Sequence, residues 1–170
     1  MTPVSLTDLL DPEYAPTWND LMWLRVQGLP DASLAHIAAH GAVRKVRFRR
    51  GGSFVLDEKG RRAVLLPTAC DNPDVVAFNT KGDFGTYMGA AALMGNLGGS
   101  MPAIRLSVLD GLRSGMSGAV VLRRDSAWVY LGWFSAVTVS SRDDAAAVRE
   151  ILQPPPSQTR VLVSREGRVP

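Results

Sequence analysis

The sequence predicts a single α+β domain with a mainly antiparallel sheet and helices packed on it. Between residues 43 and 66, apolar and charged side chains alternate with the period of a β-strand, and glycine-containing turns separate the runs. Before residue 41 and after residue 141, apolar residues instead recur at helical spacing. A chain of 170 residues, 46% of them hydrophobic, suits one globular domain. We expect this domain to span residues 1–153, followed by a proline-rich spacer and tail over residues 154–170.

The first helices and strands follow from local signals. Thr17 is a suitable N-cap for a helix over residues 17–27, and Asp31 is a suitable cap for a second helix over residues 32–40. Glycine follows each helix and ends it. Strands are then expected over the segments 43–49, 54–56, 63–66 and 74–78.

The second half of the chain gives mixed signals. Thr86 is expected to cap a helix over residues 86–94, and Ser141 to open another over residues 143–152 through a capping box. A hairpin turning at Asp125 and Ser126 would add residues 119–139 to the sheet. The remaining expectations are a strand or helical turn over residues 104–113 and an edge strand at residues 161–163.

Nothing in the sequence indicates secretion or membrane insertion. No apolar run approaches the roughly 20 residues that span a bilayer, and the acidic N-terminus lacks the basic and apolar regions of a signal peptide. Cys70 is the single cysteine, so no internal disulfide can form. We therefore expect a cytoplasmic protein with no membrane partner.

Positive charge is concentrated in one segment. Residues 41–65 carry eight basic and two acidic side chains, whereas residues 1–40 carry one basic and five acidic. Lys45, Arg47 and Arg49 would project from one strand face at about 7 Å intervals, close to the separation of successive phosphates. The predicted binding residues are Arg44, Lys45, Arg47, Arg49, Arg50, Arg61 and Arg62.

This basic region predicts an anionic partner. The function that we expect is sequence-tolerant binding of nucleic acid, because no base-reading motif accompanies the basic strand. The alternative is a protein–protein interaction factor whose basic face docks on an acidic protein surface. Four tryptophans could offer stacking platforms, although in a domain of this size tryptophans are more often part of the core.

A second alternative is enzymatic. Three short fragments, AAHG at residues 38–41, DVVA at 74–77 and GMSG at 115–118, resemble the motifs of trypsin-like serine peptidases in the right order. The resemblance implies Ser117 as nucleophile, His40 as base and Asp74 as orienting carboxylate. However, His40 ends a predicted helix, and 43 positions between Asp74 and Ser117 leave little chain for a half-barrel. We therefore assign no catalytic residue.

No cofactor or metal site is expected either. His36 and His40 lie one helical turn apart, a spacing that can hold a metal, but these are the only histidines and no Glu follows His36 to complete a site. The glycines between residues 82 and 99 match neither of the common phosphate-binding motifs.

One resemblance covers most of the chain. It runs through residues 34–66, DVVAF at 74–78, IRLSVLDGLRSGMSGAVVL at 104–122 and WVYLG at 128–132. In their order, these segments are similar to short uncharacterised proteins of bacterial plasmids and prophages, a family without an assigned activity. The resemblance implies an accessory protein of a mobile genetic element.

Overall fold

The computed structural model describes residues 4–68 and 73–153 and shows an α+β fold with two sheets. The chain begins with α1 (Leu6–Leu9) and a 3₁₀ turn (Pro12–Tyr14), followed by α2 (Trp18–Val26) and α3 (Asp31–His40). Both predicted helices in this region are confirmed.

The caps of these two helices differ. Thr17 and Asp20 form a capping box at α2, in which the Thr17 hydroxyl accepts from the Asp20 N–H at 3.3 Å and the Asp20 carboxylate accepts from the Thr17 N–H at 2.9 Å. The predicted cap of α3 was wrong by one position, because Pro30 is the N-cap and Asp31 is the first helical residue. The Asp31 carboxylate pairs with Arg25 instead.

Five strands close into a barrel in the order β1-β2-β5-β4-β3. The strands are β1 (Ala42–Arg49), β2 (Ser53–Leu56), β3 (Arg61–Pro67), β4 (Val75–Phe78) and β5 (Phe84–Thr86). Every neighbouring pair is antiparallel except β2 and β5, which are parallel. The four strands predicted between residues 43 and 78 are confirmed, and β1 lies between the other two strands of its meander.

The two faces of the barrel strands have different neighbours. Val46, Phe54 and Leu65 pack in one core cluster together with Leu9 of α1. Val64 and its neighbours on the opposite face pack against the helices, in a cluster that includes residues of α2 and α3. Strand β3 is therefore continuously apolar over residues 63–66, since both of its faces are covered.

The second half of the described chain builds a three-stranded sheet in the order β6-β8-β7. Its elements are β6 (Leu93–Gly95), β7 (Ile104–Arg105), α4 (Val108–Arg113), β8 (Ala119–Val121), α5 (Arg124–Leu131) and α6 (Arg142–Leu152). Helix α6 confirms the predicted helix, with the Ser141 hydroxyl accepting from the Asp144 N–H at 3.0 Å. The ambiguous segment 104–113 contains both a short strand and a helix.

Two predictions here were wrong. The helix expected over residues 86–94 is absent, because residues 84–86 and 93–95 are strands and the loop between them is held by a buried carboxylate described below. The hairpin expected around Asp125 is also wrong beyond its first strand. Residues 124–131 form α5, in which Ala127 and Leu131 are buried at helical spacing.

The edge strand predicted at residues 161–163, and the tail 154–170 as a whole, lie outside the described residues. Over residues 4–68 and 73–153, none of the helices combines the length and the hydrophobicity that crossing a bilayer requires.

Candidate nucleic-acid interface

The basic side chains of β1 occupy the outer face of the barrel. Lys45, Arg47 and Arg49 are exposed, while Val46 between them is buried on the inner face. We call these three side chains the basic stripe. Lys45 is in register with Arg62 of β3, so the outer face carries a further cation on the neighbouring strand. Of the residues predicted from the sequence, Lys45, Arg47, Arg49 and Arg62 thus lie near one another on this face.

Two of the predicted binding residues have other positions. Arg44 points away from the stripe: its guanidinium carbon lies 3.7 Å from the centre of the Tyr14 ring, and one of its nitrogens donates to the Asp8 carbonyl at 2.9 Å. These contacts attach the N-terminal segment to the barrel. Arg50 is exposed in the turn that follows β1, at the end of the stripe.

Carboxylates accompany three of the predicted arginines. Arg47 pairs with Asp57, Arg61 pairs with Asp83 at 3.0 Å, and Arg62 pairs with Asp20 at 2.5 Å. These pairs reduce the local positive charge, but they also fix the direction of each side chain. A guanidinium has five N–H donors, so a carboxylate that engages one terminal nitrogen leaves donors for a phosphate. Within the described residues, Lys45 and Arg49 engage no carboxylate.

A groove of about 490 Å³ lies between α2 and the rim of the barrel. Trp23 of α2, 46% exposed, lines one part, while Arg61, Arg62 and Lys81 supply positive charge. We call it the tryptophan groove. The only carboxylate among its lining residues is that of Asp20, which is 7% exposed and already engaged by Arg62 and the capping box.

The turn between β4 and β5 positions Lys81 at this groove. The Asn79 side-chain oxygen accepts from the Lys81 N–H at 2.9 Å and from the Asp83 N–H at 3.1 Å. The Asn79 amide donates to the Asp83 carboxylate at 3.0 Å, and that carboxylate also binds Arg61. This Asx-type turn therefore connects Lys81 and Arg61 through fixed hydrogen bonds.

A second groove, of about 430 Å³, lies beside the first. Its lining includes Arg47 and Phe48 of β1, Lys59 of the turn before β3, Arg61, and the carboxylate of Asp83 that pairs with Arg61. We call it the stripe groove. Because Arg61 lines both grooves, they adjoin at this side chain and form a track from α2 to the basic stripe.

No protein-family model, curated protein or solved structure significantly matches this chain.

The carboxylate of Asp74, considered above as a catalytic group, organises a loop. Asp74 is 2% exposed, and its oxygens accept from the backbone N–H groups of Tyr87 at 3.1 Å, Met88 at 2.9 Å and Ala90 at 2.9 Å. Longer or more local bonds come from Ala91 and from the adjacent residue. Both oxygens thus serve the backbone between β5 and β6.

His40 and Ser117 lie apart from this carboxylate network. The ring of His40 neighbours that of His36, with centroids 5.0 Å apart, and Ser117 is exposed in the turn after α4. Partial burial, and then the charge of His40, lower the pKa of His36 below its ordinary value. Among the hydrogen bonds of the described residues, none joins any two of His40, Asp74 and Ser117.

In the described part of the chain, no group of three histidine, cysteine or acidic side chains is placed to hold a metal ion. Cys70 lies outside the described residues.

The binding residues predicted from the sequence did not include Lys59 and Lys81, and Trp23 was considered only as one of four possible stacking platforms. Lys59 and Lys81 lie in turns, and an isolated lysine in a turn gives no sequence pattern that would predict a binding site. The sequence held a signal for Trp23, because Trp18, Leu21 and Leu24 recur at helical spacing and leave Trp23 off that face. In the structure, the buried side chains of α2 are Asp20 and Leu24.

Proposed function

We propose that this protein binds nucleic acid without sequence preference, through the basic stripe and the two grooves beside it. The observation that carries the proposal is the track of cations along the barrel, in which Arg61 joins the two grooves. The resemblance to plasmid and prophage proteins adds the context of a mobile-element accessory protein.

The placement of the charges supports a phosphate-binding surface. Lys45, Arg47 and Arg49 lie on alternate positions of one strand and share its outer face, so their spacing is near that of consecutive phosphates. Each phosphate neutralised by a cation releases condensed counterions, which gives affinity that falls with salt. Contacts of this kind carry no sequence information, and binding is therefore expected to tolerate any sequence.

The test is fluorescence anisotropy with labelled single-stranded and duplex oligonucleotides of unrelated sequence at several salt concentrations. Lys45, Arg47 and Arg49 are replaced together by glutamine. We expect this variant to lose most of the affinity and to flatten the slope of log K against log salt by roughly two to three, since about three phosphate contacts are removed. Unequal affinities for two sequences of the same composition would contradict sequence tolerance.

A matched control removes the same charge elsewhere. Arg124, Arg142 and Arg149 are exposed on α5 and α6 and pair with no carboxylate within the described residues. Their triple replacement by glutamine changes net charge equally and should leave binding nearly unchanged.

Failure of the wild-type protein to bind at about 50 mM salt, the low end of the range over which such contacts weaken, would refute the proposal. So would equal binding by the two triple variants. Polyglutamate serves as a model of an acidic protein surface. If it binds through the stripe while oligonucleotides do not, the basic face is one that docks on an acidic protein.

A further inference from the structure

We propose that the tryptophan groove binds one unpaired nucleotide of a single strand, with its base stacked on Trp23 and its phosphate held by the cations opposite. This inference rests on the proposed function and deepens it by naming the form of nucleic acid. The rest of the strand continues past Arg61 into the stripe groove.

One wall of the tryptophan groove is aromatic. Trp23 is 46% exposed on a helix whose buried side is supplied by Asp20 and Leu24. An indole face at the edge of a polar groove is a stacking surface for any base, because every base has a π-face. In a duplex those faces are covered by neighbouring base pairs, so the indole selects an unpaired nucleotide.

The cations of the groove are held in place before any ligand binds. Asp20 fixes Arg62 while its other oxygen caps α2, and Asp83 fixes Arg61. Lys81 projects from the turn that Asn79 stabilises. Side chains that are already positioned lose less conformational entropy when a phosphate binds. The groove thus presents an aromatic group from the helix and positive charge from the barrel.

The size and openness of the groove favour a strand over a free nucleotide. About 490 Å³ lies within the range of roughly 300–1,000 Å³ that small-ligand sites occupy, which suits one nucleotide. The side chains of Arg61 and Arg62 are each 65% exposed, so a single phosphate gains little there from a desolvated ion pair. Affinity must therefore be shared with the cations along the adjoining groove.

The experiment compares a 12-nucleotide thymidine strand, a 12-base-pair duplex and thymidine monophosphate, each over the same series of salt concentrations, in wild type and three variants. We expect the wild type to prefer the single strand and to bind the monophosphate far more weakly. Trp23→Leu should weaken binding of the strand roughly five- to 150-fold, the loss that corresponds to one stacked base. It should leave duplex binding and the salt slope unchanged, whereas Trp23→Phe should retain most of the affinity.

Trp18→Leu is the matched control, because Trp18 is on the same helix, is 70% exposed and does not line the groove. It should bind as the wild type does. A second measurement needs no variant: a strand carrying 5-bromouracil is irradiated in complex with the wild-type protein, and the crosslinked peptide is identified by mass spectrometry. We expect the crosslink at Trp23.

The outcomes separate the two proposals. If Trp23→Leu binds the strand like wild type, or crosslinks form only elsewhere, the groove proposal is overturned. Loss of binding in the stripe variant would then still uphold the proposed function. A preference for duplex also overturns the groove proposal alone. Tight binding of the monophosphate without any gain for the strand would overturn the assignment of a strand. If no oligonucleotide binds, both proposals fail.

Discussion

Replacement of Asp74 should be among the most destabilising single changes in the described part of the chain. Its buried carboxylate is the acceptor for the backbone N–H groups of Tyr87, Met88 and Ala90, at 2.9 to 3.1 Å. These amides belong to a loop with no regular secondary structure of its own. The loop conformation therefore depends on one side chain that is distant in the sequence.

The magnitude follows from those bonds. A hydrogen bond to a charged group contributes about 1.5–3 kcal/mol to stability. Breaking a buried charged interaction by removing one partner commonly costs about 3–5 kcal/mol. Asp74→Ala removes the acceptor of all these N–H groups, but water can reach part of the loop because Met88 is 64% exposed. We therefore expect a loss of about 3–5 kcal/mol in the free energy of unfolding. Asp74→Asn keeps one acceptor oxygen and should lose about 2–3 kcal/mol.

The assay is urea denaturation, with amide hydrogen exchange to locate the effect. Exchange should accelerate at residues 87–91 in both variants. Asp125→Asn is the control, since this carboxylate is 67% exposed and pairs with Arg123 at 2.6 Å, and its loss should stay below about 1 kcal/mol. An Asp74→Ala variant no less stable than that control, or one with unchanged exchange in the loop, would refute this account of the loop.

Two further predictions concern Thr86 and the histidine pair. Thr86 is 1% exposed, and its hydroxyl has no hydrogen-bond partner among the described residues. Because valine removes this buried hydroxyl, Thr86→Val should raise the free energy of unfolding by about 1 kcal/mol. A lower urea midpoint for the variant would contradict this. Burial, then His40, lowers the pKa of His36 from 6.5, so His40→Gln should raise it without reaching 6.5 in an NMR titration. In the wild-type protein, the lowered pKa means that folded His36 binds fewer protons than unfolded His36 as the pH falls below 6.5. The contribution of His36 to the free energy of unfolding is therefore fully present above pH 6.5 and is lost as the pH falls through the folded pKa. A His36 pKa that is indifferent to the substitution would show that the rings are not coupled.

The elements that could be predicted from the sequence are those specified by residues close together in the chain. The meander over β1 to β3 has strand periodicity, and α2 and α6 have capping residues at their first turns. The loop after β5 has a threonine, apolar residues and a closing glycine, which also fit a helix. What decides its structure is the Asp74 carboxylate, more than a dozen residues earlier, and no local pattern contains that information.

The hairpin prediction was wrong over residues 124–131 for a related reason. Trp128, Tyr130 and their alternating neighbours have high strand propensity, but only Ala127 and Leu131 are buried, one helical turn apart. Propensity is a weak guide when tertiary packing selects a different face. The barrel closes through the parallel pair of β2 and β5, which has a single register contact, between Ser53 and Thr86. No pattern in the sequence of either strand predicts this pairing.

At the proposed interface, the fold determines how charges that are separated in the sequence are arranged in space. An acidic first segment and a basic second one predict a positive patch if the two remain apart. In the structure they meet, because the carboxylate of Asp20 engages Arg62, and Arg44 binds the ring of Tyr14. Within the proposed interface, Lys45 and Arg49 of the stripe engage no carboxylate of the described residues, and Lys81 adds a further cation from a turn. The basic segment of the sequence therefore contains the proposed stripe but not Trp23 or Lys81, which the fold places in the neighbouring groove.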